Sequence, residues 1–140
     1  MIGMVLVTHG TLANALRDAM EHVVGKQTNV ATVCIESDSE FEGQRAEIAS
    51  RIAEVNVGDG VILLTDMFGG TPSNLAMSML NQPGIEIIGG VNLPMLVKLA
   101  KIRGHQALDE AVLCAEAAGR KYICSGHEIH HACAAPRAAE

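Results

Sequence analysis

The 140-residue chain has no tryptophan and only three other aromatic residues, Phe41, Phe68 and Tyr122. Its core must therefore be built from Val, Ile, Leu, Ala and Met, a composition that suits an α/β fold. Positive charge is also scarce: 10 Lys and Arg stand against 16 Asp and Glu, a formal net charge of −6. No basic stripe is present to neutralise phosphates, which argues against nucleic acid as a partner. Long apolar runs are missing too. The first, Met4 to Val7, has no Lys or Arg before it and is too short for a signal peptide or a membrane span, so a cytoplasmic chain without membrane insertion is expected. Cys34, Cys114, Cys124 and Cys133 are scattered, as reduced thiols of a cytosolic protein would be, and Cys34 lies in a strand pattern as a small buried hydrophobe. No internal repeat or linker divides the chain, and one domain is expected.

Short β-type runs alternate with helical patterns. Gly3–Thr8, Asn29–Ile35, Gly60–Thr65 and Ile85–Gly89 are rich in Val, Ile or Leu and nearly continuous in apolarity, as in parallel strands buried on both faces. Between them, Leu12, Leu16, Met20 and Val23 recur at helical spacing before a capping Gly25. Ser39 to Glu42 reads as a capping box for a helix with Phe41, Ile48, Ile52 and Val55 on one face. Thr71 as N-cap and Pro72 at the first helical position open a third helix that buries Leu75, Ala76, Met79 and Leu80. Two helices then follow in series, about Leu93 to Arg103 and about Gln106 to Ala118, ended by Gly104 and Gly119. A second helix in series reverses the chain, so a last strand near Tyr122 must run antiparallel. The expected fold is a doubly wound three-layer α/β sandwich of four parallel strands plus that C-terminal strand, with a flexible tail over residues 125–140.

His9 directly follows the first apolar run, and Asp66 ends the third, ahead of a Gly69-Gly70 turn. In open parallel sheets ligands bind beyond the carboxyl ends of the strands, so these two side chains belong to one site. A carboxylate that accepts a hydrogen bond from one imidazole nitrogen fixes the tautomer and aims the other at an electrophile. It also stabilises the positive ring once that nitrogen has bonded phosphorus. Gly69 and Gly70 can turn their amides toward the site, and Thr71 places a hydroxyl at a helix N-terminus, where an anion is favoured. No Mg²⁺ ligand set is evident.

The segments Ile2 to Gly10, Asp66 to Asn74 and Gly89 to Met95 each resemble a signature of one family, the IIA component of the mannose-type branch of the bacterial phosphoenolpyruvate-dependent sugar phosphotransferase system (PTS). The resemblance runs from Met1 to Cys124, which would be the IIA domain. It implies a phosphohistidine carrier: His9 accepts a phosphoryl group from the phosphocarrier HPr and passes it to a IIB component, without a cofactor. Asp66 would orient His9, and Thr71, with Phe68, Gly69 and Gly70, would surround the phosphoryl group. It also implies a homodimer that exchanges the C-terminal antiparallel strand. Met67, Phe68, Leu93, Pro94 and Met95 flank the site, either as an apolar docking rim for HPr and IIB or as local core. A related branch that serves dihydroxyacetone kinase lacks the Phe-Gly-Gly-Thr-Pro stretch.

Other readings fit less well. A flavodoxin-like binder would want aromatics around its flavin, a receiver domain paired acidic residues after the first strand, and a histidine phosphatase an Arg where Thr8 stands. A regulatory IIA-like module, whose phosphorylation state signals carbon or nitrogen status without moving sugar, is the alternative function, because no IIB segment shows where the phosphoryl group goes next. The cluster Cys124, His127, His130, His131 and Cys133 offers zinc ligands, but in no recognised spacing. His22 and His105 read as surface residues, and Lys98, Lys101 and Arg103 as a solvated helix face that could meet an acidic partner.

Overall fold

The alternating runs form a parallel sheet with helices on both faces in a computed structural model that describes residues 1–36 and 40–130. The strands are β1 (Gly3–His9), β2 (Val30–Ile35), β3 (Val61–Thr65) and β4 (Ile85–Gly89), in the order β2-β1-β3-β4. Each connection contains a helix: α1 (Leu12–Val24), α2 (Phe41–Val55) and α3 (Thr71–Met77). Then follow α4 (Leu93–Ile102), α5 (Leu108–Lys121) and a short α6 (Gly126–Glu128).

Period two divides the strand side chains between two cores. Met4, Leu6, Ile62 and Leu64 face α1, α4 and α5, whereas Val5, Val7, Val61 and Leu63 face α2 and α3. With both faces covered, no strand alternates with polar residues, which explains the continuous apolar runs. The chain leaves β1 toward β2 but returns to β3 on the other side of β1, so the strand order reverses between β1 and β3. A crevice opens at such a point, beyond the strand ends.

Several expectations need correction. On α1 the buried stripe is Ala13 and Met20 with Leu16 and Val24, one step around from the expected face, and Leu12 and Val23 are exposed. Ser39 of the capping box lies outside the described residues, and Glu40 occupies the cap position of α2 without a side-chain bond. Phe41 is exposed because it starts the helix beside edge strand β2, and burial on α2 begins only at Gln44. Gly70, not Thr71, caps α3: it is extended, and its carbonyl accepts the first helical bond, from Asn74 N at 3.0 Å. Helix α3 gives way to tight turns after Met77, so Leu80 falls out of phase with Ala76 and is exposed.

Gly119 does not end α5, which runs on to Lys121. A Cβ at Gly119 would stand 2.8 Å from Met95 Cε, and its carbonyl accepts from Asn92 Nδ2 at 2.9 Å. Asn92 Oδ1 also caps α4 by accepting from Met95 N at 3.1 Å. Gly119 thus allows the close approach of two helices. Arg103, expected in solvent, is buried. No strand forms at Tyr122 among the described residues, where Ile123 is exposed and a short helix capped by Ser125 follows. A strand exchanged between two copies has no partner within one chain. His131 and Cys133 of the His/Cys cluster lie outside the described residues.

Candidate functional site

The reversal point holds His9 and Asp66. His9 is the last residue of β1, level with Ile35, and Asp66 follows Thr65, the end of β3. The imidazole Nδ1 lies 2.8 Å from Asp66 Oδ2, the same oxygen that accepts the backbone N–H of His9 at 3.0 Å. The other oxygen, Oδ1, accepts from Met67 N at 3.0 Å. Burial alone would raise the Asp66 carboxyl, but the hydrogen bonds and charge of His9 outweigh it and hold the group below its ordinary value. An ionised carboxylate can only accept, so Nδ1 carries the proton, and in the neutral ring Nε2 is then the nitrogen with the lone pair. The His9 side chain is 52% exposed and Asp66 only 15%, so the imidazole reaches solvent while its orienting group is shielded.

Two further contacts position the ring. Thr8, fully buried, accepts from Ala13 N at 2.7 Å and ties the turn after His9 to the start of α1. On the other side, a Cβ at Gly70 would fall 2.8 Å from His9 Cε1 and 2.9 Å from Nε2, so only a glycine lets the loop lie against this edge of the ring. Gly69 has φ +98°, which a side chain would strain. Its amide is already bonded to Ser73 Oγ at 3.0 Å, contrary to the expectation that it points into the site. Ser73 Oγ in turn donates to the Gly70 carbonyl at 2.9 Å. The buried Ser73 thus locks the loop from below, a role that sequence reasoning missed although Ser three residues into a helix often bonds back to its cap.

The amides of Gly70 and Thr71 donate no hydrogen bond among the described residues, and Thr71 is exposed at the start of α3. Phe68 lies across Gly89, where a Cβ would come within 2.4 Å of its ring, and its other face is exposed. Of the expected apolar rim, Met67 and Phe68 are exposed and Leu93 and Pro94 half-buried, but Met95 belongs to the core. His22 and His105 are exposed, as expected. Among the described residues no helix is long and apolar enough to cross a membrane, and no group of three His, Cys, Asp or Glu could hold a metal ion.

The arrangement is a carboxylate-oriented imidazole beside a loop with available amides, suited to nucleophilic attack on phosphorus. The model of one family, described as the PTS system fructose IIA component, matches residues 3–115. The PTS system mannose-specific EIIAB component of Escherichia coli strain K12 is 31% identical over 99% of this chain. The chain spans only 44% of that relative's length. The PTS system fructose-specific EIIA component of Bacillus subtilis is 26% identical, over 91% of this chain and 89% of its own. Among solved structures, the mannose/sorbose specific IIA subunit of the phosphotransferase system from Enterococcus faecalis aligns with a TM-score of 0.78 at 25% identity, covering 89% of this chain and 93% of its own.

Proposed function

The chain belongs to the family of PTS fructose IIA components, and from that premise we propose that it is a phosphohistidine carrier of the sugar phosphotransferase system. His9 accepts a phosphoryl group from HPr and passes it to a IIB component. The observation that carries this reading is the 2.8 Å bond from His9 Nδ1 to Asp66, which leaves Nε2 unbonded among the described residues, at the ring edge beside the Gly70 loop.

In the forward step Nε2 attacks phosphorus in line with the donor's nitrogen–phosphorus bond. That bond breaks, its electron pair returns to the donor imidazole, and the new Nε2–P bond places positive charge on the His9 ring, opposite Asp66. The Gly70 and Thr71 amides and the Thr71 hydroxyl receive the phosphoryl oxygens, Phe68 walls the site toward β4, and Gly69 shapes the turn. Transfer to the IIB component runs the same step in reverse, so catalysis consists of positioning and charge stabilisation. Incubation with phosphoenolpyruvate, enzyme I and HPr should label the protein with acid-labile, base-stable phosphate; no label would overturn the reading.

Asp66→Asn retains the shape but cannot hold Nδ1–H as a charged acceptor, and transfer should slow on the order of a hundredfold with the fold intact. The acid dependence has a defined sign. A carboxyl lowered on folding stabilises fully above its unfolded value, about 4, and loses that contribution as pH falls through the lower folded value. Urea unfolding should therefore find the parent more stable than Asp66→Asn near neutrality, with the gap closing in strong acid. A gap unchanged down to pH values below both would contradict pairing with an ionised carboxylate.

The IIA domain extends to Cys124 in this reading, and the segment after α5 is the exchanged strand of a cytoplasmic homodimer. Ile123 is 75% exposed, and β4 is an edge strand without a second neighbour among the described residues. Light scattering at micromolar concentration should report a dimer, and a monomer would contradict strand exchange.

A further inference from the structure

The outer faces of α4 and α5 and the last turn of α1 enclose a groove of about 740 Å³, whose α4 end at Leu93 and Pro94 adjoins the rim of the His9 site. Its floor is aliphatic, from Val23, Val97, Ala117 and Ala118, with the Cys114 thiol among them. Lys98 and Lys101 stand on the α4 side and Lys121 on the α5 side. The chain has only four lysines, so three of them line this one groove, in a molecule of net charge −6, and no carboxylate lines it. Lys98 and Lys101 form no ion pair among the described residues, whereas Arg17, Arg51 and Arg120 each pair with a glutamate on their own helix. Exposed Val23, which breaks the buried stripe of α1, contributes its apolar surface here. The Asn92–Gly119–Met95 contacts hold the α4 N-terminus against the end of α5, so the groove is preformed.

We infer that this groove binds an acidic amphipathic helix of a partner protein, its apolar stripe on the floor and its carboxylates against the lysines. The charge distribution selects that occupant. The three ammonium groups are spread along two walls rather than gathered at one point, and the α4 wall from Leu93 to Lys101 rises about 12 Å, two turns or so of helix. A helix with carboxylates on both flanks of an apolar stripe matches two charged walls, whereas a single anionic headgroup would leave at least one wall unmatched. The inference stands apart from phosphoryl transfer and needs no phosphorylated His9.

The test uses the full chain and a fluorescent peptide of about four helical turns, with Leu at helical i, i+3, i+4 and i+7 positions and Glu on both flanks. Anisotropy should show binding that weakens with salt, falls about tenfold in Lys98→Glu/Lys101→Glu, and is unchanged in Lys26→Glu, whose lysine lies outside the groove. Bound peptide should also protect Cys114 from iodoacetamide, read by mass mapping. The inference is overturned if the double variant, folded by circular dichroism, binds as the parent does, or if a peptide with Lys flanks binds as well. It is equally overturned if anionic vesicles bind while the peptide does not, or if Cys114 is already unreactive in the free protein because a second copy covers it.

Discussion

A folded His9→Ala protein will take no phosphate from phosphoenolpyruvate, enzyme I and HPr under conditions that label the parent fully. Partial loss is not expected, because the reaction forms a covalent bond to one atom. His9 pairs with the Asp66 carboxylate. That pairing supplies the fixed tautomer and the counter-charge that a phosphorylated ring needs. Gly70→Ala provides the contrast that locates the reacting nitrogen. Its new Cβ would stand 2.9 Å from Nε2, so ring or loop must shift by several tenths of an ångström while the Asp66 bond on the opposite side survives. Displacement on that scale costs about a hundredfold in transfer rate, short of abolishing it. The measurement is the rate and extent of labelling. Unchanged labelling of His9→Ala would remove the residue from the covalent role, and an unaltered rate in Gly70→Ala would show that Nε2 is not the attacking atom.

The second large effect concerns stability. Arg103, with 1% exposure, ends α4 at the amino-terminal edge of the sheet, and no carboxylate pairs with it among the described residues. Its guanidinium donates instead to neutral oxygens: Nη1 to the Ile2 and Asn29 carbonyls at 3.0 and 3.2 Å, Nη2 to Gln27 Oε1 at 3.0 Å and to the Thr28 carbonyl. Burial pulls its pKa below the ordinary arginine value, which still leaves it charged. One side chain thus holds the start of β1, the loop into β2 and the end of α4. Arg103→Met keeps the volume but removes every donor, and a buried carbonyl left without a partner costs about 1–3 kcal/mol. With partial relaxation and some access of water, the loss should reach on the order of 3–5 kcal/mol, a fall in Tm of roughly 10–15 °C. Arg103→Lys, which retains the charge without the planar fork, should recover part of it. Thermal and urea unfolding of the three proteins decide; a loss under about 1 kcal/mol would show that the loop satisfies its carbonyls without this residue.

Arg103 also shows where reading the chain stops. On helical spacing it falls four residues past Leu99 and seven past Leu96, on the buried stripe of α4 and not on the face of Lys98 and Lys101, and only its charge reads as a place in solvent. What buries it is the convergence of Ile2 with Gln27, Thr28 and Asn29, from segments more than seventy residues away. Gly119 carries the same lesson, since a glycine near a helix end reads as a stop until another helix is known to press on it. Periodicity places Phe41 and Leu80 on a buried face because it reports only angle around a helix, not where the sheet beneath it ends or where the helix gives way to turns.

The α/β class, the four parallel strands and the pairing of His9 with Asp66 followed from the sequence alone. Each depends on local terms: apolar runs long enough to be buried on both faces, and polar residues placed at their ends. Tertiary structure decided which nitrogen of His9 Asp66 holds, since that depends on two strand ends brought side by side. It decided also that the Gly69 amide is spent on Ser73, that Gly70 must be small because an imidazole lies against it, and that lysines of two successive helices border one groove. Such contacts join residues whose positions are set only when the whole chain has folded, because no local energy term records which segments will meet.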